Sequence, residues 1–310
     1  MGRYIIRRVL LLVPMLFVII FIVFGIMSLT PNNPGAVMLG LRGTPEAITA
    51  LNHELGYDRP VLVRYADYIV HLAQGDMGTS YITGRNVFSE IVQRFPATAK
   101  LALLSVLTAA VIGVLLGILA AVRQYGIFDM IGTAAAMFTA SMPGFWFALI
   151  AILVFSLRLR WLPSNGLDSW KHYILPTLML ALPEAAGIMR LTRTTMLETI
   201  RQDYIRTARS KGQTERRVIF RHALKNALLP VVTVIGMDFG WLLGGAVVIE
   251  QVFSINGVGK LIIEAIRMKD VPQVTGCAVF MAFFFILVML VVDILYAYID
   301  PRIKVRYQRR

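Results

Sequence analysis

Residues 9–29 of the chain read VLLLVPMLFVIIFIVFGIMSL and contain no charged side chain. A helix needs about 20 apolar residues to cross the hydrocarbon core of a bilayer, so this run predicts a membrane-spanning helix. Arg3, Arg7 and Arg8 precede it, as basic residues precede the apolar part of a signal peptide. The run is too long for a signal peptide, however, and no A-x-A cleavage site follows it. We therefore expect this helix to remain in the protein.

The composition extends this prediction to the whole chain. Of its 310 residues, 57% are hydrophobic and 16% are charged, whereas a soluble domain carries about 25% charged residues. Because charged residues are few, the chain contains five further apolar runs, at residues 101–122, about 130–157, about 173–188, about 227–249 and 274–299. We predict an all-α integral membrane protein with six transmembrane helices. An ordinary soluble enzyme is excluded.

The distribution of basic residues predicts the orientation of these spans. Lys and Arg collect at the amino terminus, in residues 190–226 between the fourth and fifth spans, and in the tail after residue 299. Six spans place all three segments on one side, and cytoplasmic loops are enriched in Lys and Arg, so both termini are expected in the cytoplasm. The net charge of +13 is then spread along a membrane face, where it meets membrane lipid. No basic stretch has interleaved aromatic residues, so nucleic acid is not an expected partner.

The segment between the first two spans is too long to be a simple connector. It divides the chain into a first helix (1–29), a helical extracytoplasmic insert (30–100) and a core with five spans (101–310). Thr44 and Pro45 predict a helix start, with Thr44 as the N-cap, and Gly56 predicts its end. A second amphipathic pattern covers residues 61–72, before the sequence GDMGTS at 75–80. The insert suits either a packing cap over the bundle or a docking surface for another protein.

The histidines, the cysteine and the glycine-rich sequence of this chain do not form a recognisable catalytic, metal-binding or ATP-binding motif. The four histidines lie far apart and outside the predicted spans, at positions 53, 71, 172 and 222, which excludes a metal site or hydrolase constellation at membrane depth. The sequence GVGK at 257–260 lacks the first Gly of a Walker A loop and is followed by Leu261. Cys277 lies in an apolar stretch and reads as a core residue. We expect no enzyme activity, metal or cofactor, so any energy comes from a partner or an ion gradient.

Acidic residues inside the predicted spans are costly to bury and therefore informative. Glu184 and Asp238 are candidates to line a path for a polar or cationic solute, with hydrogen bonding between helices as the alternative. For Asp293, close to the inner interface, structural hydrogen bonding is favoured. Pro143, Pro176 and Pro183 each remove a helix hydrogen bond and can kink a span.

The segment between spans four and five reads DYIRTARSKG at 203–212. Tyr204, Ile205 and Ala208 share one side at helical spacing, and Gly212 is placed to end the helix in a left-handed conformation. Thr214 can then cap a second helix that climbs back into the membrane. A short, partly apolar helix of this kind suits the groove of another subunit or a lipid surface.

Ala208 and Gly212, followed by Leu229 and Pro230 at the next span, resemble the EAA loop of ABC-transporter permease subunits. The loop differs from the general EAA pattern, and its differences resemble the loops of the dipeptide/oligopeptide/nickel branch. The segments that carry this resemblance are DYIRTAR at 203–209 and RHALKNALLP at 221–230. Further landmarks of that branch occur in order: RYIIRR (3–8), LGYDRP (55–60), GDMGTS (75–80), HYILP (172–176) and IDPRI (299–303). One landmark is altered, since FSINGVG at 253–259 stands where the family usually has a turn with Trp-Pro-Gly.

The resemblance implies a subunit of an ATP-driven importer in the cytoplasmic (inner) membrane of a prokaryote. Its partners would be a second, homologous permease in a heterodimer, two cytoplasmic ATPases that bind ATP and Mg, and an extracytoplasmic solute-binding protein. The loop of about 190–226 would then carry an ATPase-coupling helix, in which a side chain larger than that of Ala208 should prevent close seating. The residues assigned to this helix are Tyr204, Ile205, Arg206, Thr207, Ala208, Arg209, Lys211 and Gly212. Those assigned to docking of the binding protein are Gly75, Asp76, Gly78 and Ser80.

The sequence does not decide which solute is transported. Di- or oligopeptides are the first expectation for this branch, but nickel, metal chelates and glutathione use closely similar permeases. A gradient-driven secondary carrier is the rival from another class, although such carriers often show internal repeats, and none is evident across these six spans.

Overall fold

A computed structural model describes residues 2–29 and 33–299, and in these ranges the regular secondary structure is entirely helical, without a β-strand. One isolated antiparallel bridge joins Thr79 to Asn86. The prediction of an all-α protein is confirmed for this part of the chain. The basic tail, including Arg302 and Lys304, lies outside the described residues.

Fourteen helices follow one another along the described ranges, with short 3-10 or π segments at some of their ends. Their bounds are α1 Gly2–Leu29, α2 Pro34–Leu39, α3 Pro45–Glu54, α4 Val61–Ala73, α5 Val87–Val122, α6 Ile127–Ser141, α7 Gly144–Ala151, α8 Trp170–Ile200, α9 Asp203–Ser210, α10 Glu215–Arg217, α11 Leu224–Gly245, α12 Val247–Val252, α13 Val258–Arg267 and α14 Val271–Ile299. A π segment, Val218–Ala223, joins α10 to α11.

Five helical stretches are long and apolar enough to cross a membrane: Leu10–Leu29, Val87–Val122, Trp170–Ile200, Glu215–Gly244 and Val271–Leu295. The predicted third span, over about 130–157, is not one helix. Its two parts, Ile127–Thr139 and Gly144–Arg158, meet at an angle of 103°. Six spans result only if this bent pair counts as one.

The break in the third span has a local cause at Met142 and Pro143. Both residues have extended backbone, with ψ of 136° and 125°. Proline lacks the N–H that would continue the helix and disfavours helical geometry at the residue before it. Pro176 and Pro183, in contrast, stay inside the continuous helix α8. The hydrophobic run predicted the apolar segment correctly but not its interruption.

Two spans extend well beyond their apolar centres. The α5 helix begins at Val87 rather than near Leu101, because the side chain of Asn86 caps it by accepting the N–H of Ser89 at 3.0 Å. The α8 helix runs from Trp170 to Ile200, where about 173–188 was expected. Hydropathy locates the part of a helix in the hydrocarbon core, whereas caps locate its ends. The insert therefore passes directly into α5.

The core of the bundle is the contact between α5 and α8. These helices run in parallel, since Leu101 packs near Leu175 and Ala121 near Met196. Gly113 lies directly against Ile188, which lets the two backbones approach closely. With about 1.5 Å of rise per residue, α5 connects the insert end of the bundle, near Leu101, to the opposite end, near Ala121.

The insert folds as its turn residues predict. The side chain of Thr44 accepts the N–H of Ala47 at 3.3 Å and Pro45 is the first residue of α3. Gly56 follows with φ of 65°, a left-handed conformation suited to glycine. The α4 helix packs on α1, where the hydroxyl of Tyr65 donates to the carbonyl of Phe17 at 3.1 Å.

Candidate coupling helix and translocation path

The α9 helix is fixed to its own chain through one face. Ile205 is fully buried and Ala208 is 9% exposed. Both belong to an apolar cluster with Met196 of α8 and with Val218 on the following segment. The close packing expected of Ala208 thus occurs within this chain, because its side chain faces the bundle. A larger side chain at this position would displace α9 from the surface on which it lies.

The other face of α9 is exposed and polar. The side chain of Tyr204 is 43% exposed, and Arg206, Thr207 and Lys211 are exposed as well. The hydroxyl of Tyr204 accepts a hydrogen bond from the side-chain amide of Asn226 at 2.8 Å, which ties the start of α9 to α11. This face is the part of the predicted coupling helix that a partner protein can reach.

Arg209 and Glu215 brace the turn that follows α9. The guanidinium of Arg209 donates from Nε to Oε1 of Glu215 at 2.7 Å and from Nη2 to Oε2 at 3.3 Å. These bonds raise the pKa of Arg209 above its ordinary value. The two side chains are 41% and 61% exposed, so the pair contributes at most about 1 kcal/mol to stability. Its effect is to fix the direction in which the chain leaves α9, across Gly212, whose φ is 73°.

Glu184 and Asp238 lie on two spans that pack against each other. Glu184 lies on α8 and Asp238 on α11, and both are partly buried. The helices that carry them meet through a shared apolar cluster that includes Ala181 and Ile188 of α8 and Val231 of α11. The two candidate path residues thus lie on neighbouring spans, and two acidic side chains in such positions favour a cation or an amino group near them.

The predicted docking turn is partly exposed and partly buried. Gly75 and Asp76 are exposed, and Asp76 accepts the N–H of Gly78 at 2.8 Å. Ser80 is only 2% exposed, and its hydroxyl donates to Asp270, at the start of α14, which also accepts the N–H of Tyr81 at 3.1 Å. Ser80 therefore anchors the turn to the bundle. The surface available for docking narrows to the residues before it.

A buried carboxylate at the insert end was missed by the sequence reasoning. Glu250 is fully buried and accepts from the hydroxyl of Thr98 at 2.6 Å and from the N–H of Lys260 at 3.0 Å. A Cβ on Gly257 would collide with its carboxylate, so glycine is required there. Burial raises the pKa of Glu250, although these hydrogen bonds oppose the rise. The available signal was an acidic residue directly after an apolar run, followed by the GVG sequence at 257–259.

A second buried acid joins α6 to α8. Asp129 is 4% exposed and accepts from Arg193 twice, from Nε at 2.6 Å and from Nη2 at 2.7 Å. It also accepts the N–H of Tyr125 at 2.9 Å. Arg193 was counted only among the basic residues of the cytoplasmic loop. Since α8 leads into α9 within two residues, this pair connects the bent third span to the coupling segment.

No group of three or more metal-binding side chains comes together within residues 2–29 and 33–299. Cys277 is fully buried, as the apolar stretch around it predicted.

Two family models match the chain. The model described as "Binding-protein-dependent transport system inner membrane component" matches residues 113–305. The model for the N-terminal part of such membrane components matches residues 1–102.

Similar proteins of known function are also transport proteins. The chain is 39% identical over 304 residues to the glutathione transport system permease protein GsiC of Salmonella typhimurium (strain LT2), which covers 98% of this chain and 99% of that protein. The same figures hold for GsiC of Escherichia coli (strain K12).

Solved structures agree in fold. The inward-facing MetNI methionine ABC transporter matches with a TM-score of 0.59 at 18% sequence identity, over 69% of this chain and 97% of that one. An amino acid ABC transporter matches with a TM-score of 0.51 at 14% identity, over 69% and 94% of the two chains.

Proposed function

The chain belongs to the inner membrane components of binding-protein-dependent transport systems, as a permease subunit of the dipeptide/oligopeptide/nickel family of ABC importers, and we propose that it imports short peptides by alternating access. The observation that carries this proposal is α9, a short helix with one face buried in its own chain and one face open to a partner. The proposal places both termini in the cytoplasm and the insert outside.

In this mechanism, ATP binding on two partner ATPases closes them and moves α9. The motion reaches the membrane because α9 is packed on α8 through Met196 and on the start of the next span through Val218. The α8 helix carries Glu184, and Arg193 couples it to α6 through Asp129. A push on α9 therefore displaces three spans together, which suits rocking between outward- and inward-facing states. The ATP and its Mg stay on the partners.

The carboxylates of Glu184 and Asp238 support a cargo with an amino group. They lie on two spans that pack against each other, and a bound ammonium group would compensate their negative charges. Di- or oligopeptides carry such a group. Glutathione is the second candidate, favoured by the 39% identity to the glutathione permeases along nearly the whole chain; it also carries a free amino group. Nickel and metal chelates have less support, because neither carboxylate has a metal-binding cluster around it in the described part of the chain.

The remaining partners follow from the same proposal. A second, homologous permease would complete the path as a heterodimer, and an extracytoplasmic binding protein would deliver the cargo. Gly75 is exposed on the insert and suits contact with that binding protein.

Uptake in vesicles tests the cargo. Vesicles that contain this chain with its partner permease, ATPases and binding protein are supplied with labelled dipeptide, tripeptide, glutathione or nickel. We expect ATP-dependent uptake of one or more of the peptides and competition by unlabelled peptide. N-acetylation of the peptide should reduce uptake if the carboxylates bind its amino group, and Glu184→Gln with Asp238→Asn should remove that discrimination. Uptake of nickel alone would contradict the peptide proposal.

A further inference from the structure

A polar cavity of about 480 Å³ opens at the insert end of the bundle. Its walls come from the two family landmarks of the insert, LGYDRP at 55–60 and the turn at 75–80, together with α4 and the first turn of α14. Phe24, near the end of α1, also lines it. The cavity thus lies where the first and last spans leave the apolar part of the bundle, and its volume is in the range of ligand sites.

The charged side chains of this polar cavity have both signs: Glu54, Asp67 and Asp76 are acidic, and Arg59 and Arg64 are basic. Arg59 and Asp67 pair with each other at 3.4 Å. Arg64 lies 3.8 Å over the ring of Tyr57, and no carboxylate of the described residues lies within salt-bridge distance of it. Asp76 accepts only the N–H of Gly78. The guanidinium of Arg64 and the carboxylate of Asp76 are therefore available to a zwitterionic group, and the carboxylate of Glu54 lies in the same wall.

Tyr68 adds an unsatisfied hydroxyl to the same wall. Its hydroxyl oxygen is buried and has no hydrogen-bond partner among the described residues. A buried hydroxyl without a partner costs free energy comparable to a lost hydrogen bond. A ligand oxygen in the cavity would satisfy it.

A second cavity, of about 560 Å³, lies on the membrane side of the first and is almost wholly apolar. Met77 lines both cavities. Along α1 the lining passes from Phe24 to Ile20 and then Leu16, and along α14 it passes from residues 271–275 to residues 279–284. The two cavities are therefore neighbours along α1 and α14, one with charged walls at the membrane surface and one apolar at membrane depth.

We propose that the two cavities together form a binding site for one phospholipid with a zwitterionic headgroup. Arg64 binds the phosphate through its guanidinium, the preferred group for a phosphate oxygen pair. Asp76 binds the ammonium group, and the hydroxyl of Tyr68 donates to a phosphate or ester oxygen. One acyl chain fills the apolar cavity, between α1 and the phenylalanines of α14. The lipid would fasten the insert and α1 to the rest of the bundle, independently of the cargo and of ATP.

Retention of lipid by the purified full chain tests this site. The protein is extracted in mild detergent from membranes that contain phosphatidylethanolamine and phosphatidylglycerol, and bound phospholipid is quantified by mass spectrometry. We expect about one retained phosphatidylethanolamine per chain. Arg64→Gln should lower its retention about tenfold, as expected for loss of a hydrogen bond to a charged group, and Val92→Trp should do the same by filling the apolar cavity.

Matched controls lie outside both cavities. Arg85 is on the same insert with its side chain 74% exposed, and Val111 is on the same helix as Val92 and 59% exposed. Arg85→Gln and Val111→Trp should retain lipid as the native chain does. Equal retention by all four variants, or native retention of the two lipids in their membrane ratio, would overturn the proposal. So would loss of the lipid when the partner permease is bound.

A measurement on the native chain decides the matter if a variant fails to fold. After delipidation, added phosphatidylethanolamine should raise the midpoint of thermal unfolding more than the same amount of phosphatidylglycerol, because only the former supplies an ammonium group for Asp76. An equal shift with both lipids would contradict a zwitterion site.

Discussion

At the scale of single residues, the inward orientation of Ala208 gives the sharpest expectation. Ala208→Glu would place a carboxylate among apolar side chains, where an unpaired charge costs several kcal/mol. We expect α9 to leave its surface, so that trypsin cleaves after Arg206 and Arg209 at least about tenfold faster than in the native chain, as a few kcal/mol would allow.

Thr207→Glu is the matched control, because Thr207 is the neighbouring residue of α9 and is exposed. It should leave cleavage of the segment near the native rate. Similar cleavage rates for both variants would mean that Ala208 doesn't hold α9 against the bundle.

Glu250 is the residue whose loss should cost most stability at the insert end. Its two carboxylate oxygens accept hydrogen bonds from the hydroxyl of Thr98 and from the backbone N–H of Lys260. In Glu250→Gln one of these oxygens is replaced by an NH2 group, which cannot accept from the donor that faces it. We expect a loss of about 1–3 kcal/mol in the free energy of unfolding, the range for an unsatisfied buried group. Thermal unfolding in detergent measures it. Glu264→Gln, at a side chain 39% exposed, should have little effect.

The same carboxylate should make stability depend on pH. Burial raises the pKa of Glu250 above the ordinary glutamate value of 4.5, so the folded chain binds this proton more tightly than the unfolded chain does. Its contribution to stability is therefore fully present below the unfolded pKa and is lost as pH rises through the folded pKa. The free energy of unfolding of the native chain, measured relative to that of Glu250→Gln, should therefore fall as the pH rises. A difference that is constant with pH would contradict it.

At the scale of helices, the end of α9 depends on one glycine. Gly212 has φ of 73°, which costs a residue with a Cβ about 1 kcal/mol or more. Gly212→Ala should misdirect the turn between Arg209 and Glu215 and lower ATP-driven uptake several-fold while membrane insertion is kept. Gly244→Ala is the control, because Gly244 is helical and a Cβ there meets no atom within 4 Å. Equal uptake by the two variants would argue against a required turn.

The ion pair of Asp129 with Arg193 joins two helices, so its removal should loosen α6 from α8. Asp129→Asn leaves Arg193 without its carboxylate partner, and we expect a loss of about 3 kcal/mol, the low end for a broken buried pair, since the Arg193 side chain is 26% exposed. Chemical unfolding measures this loss. Glu198→Gln, at an exposed acid of the same helix α8, should change stability by a few tenths of a kcal/mol at most. If Asp129→Asn lowered the free energy of unfolding by no more than Glu198→Gln does, the ion pair would not stabilise the contact between α6 and α8.

At the scale of the whole molecule, the apolar runs were sufficient to predict a helical membrane protein. The run at 9–29 became the apolar part of α1, and Thr44, Gly56 and Gly212 marked helix ends where their backbone preferences require them. These predictions succeeded because they depend on local chemistry: hydropathy over about 20 residues, or the conformation of a single turn.

Features that depend on distant contacts were not predictable from the sequence. The hydroxyl of Ser80 donates a hydrogen bond to Asp270, 190 positions further along the chain. Ser80, which the sequence assigned to an exposed docking surface, is therefore buried. The pattern of α9 correctly placed Ile205 and Ala208 on one side, which is buried, but it wrongly placed Tyr204 with them, since Tyr204 is 43% exposed and bonds to Asn226 of α11. The break at Pro143 was signalled, but proline alone doesn't distinguish a kink from a 103° bend, since Pro176 and Pro183 leave α8 continuous.

The coupling of α9 to ATP is the central claim of the proposed mechanism, and uptake in vesicles with the partner subunits tests it most directly. Native chain, Ala208→Glu, Gly212→Asp and the control Gly244→Ala are compared with and without ATP. The account predicts ATP-dependent uptake for the native chain and for Gly244→Ala, and its loss in the two coupling variants although they insert normally. Uptake without ATP, or native uptake by Ala208→Glu and Gly212→Asp, would contradict it and point to a gradient-driven carrier.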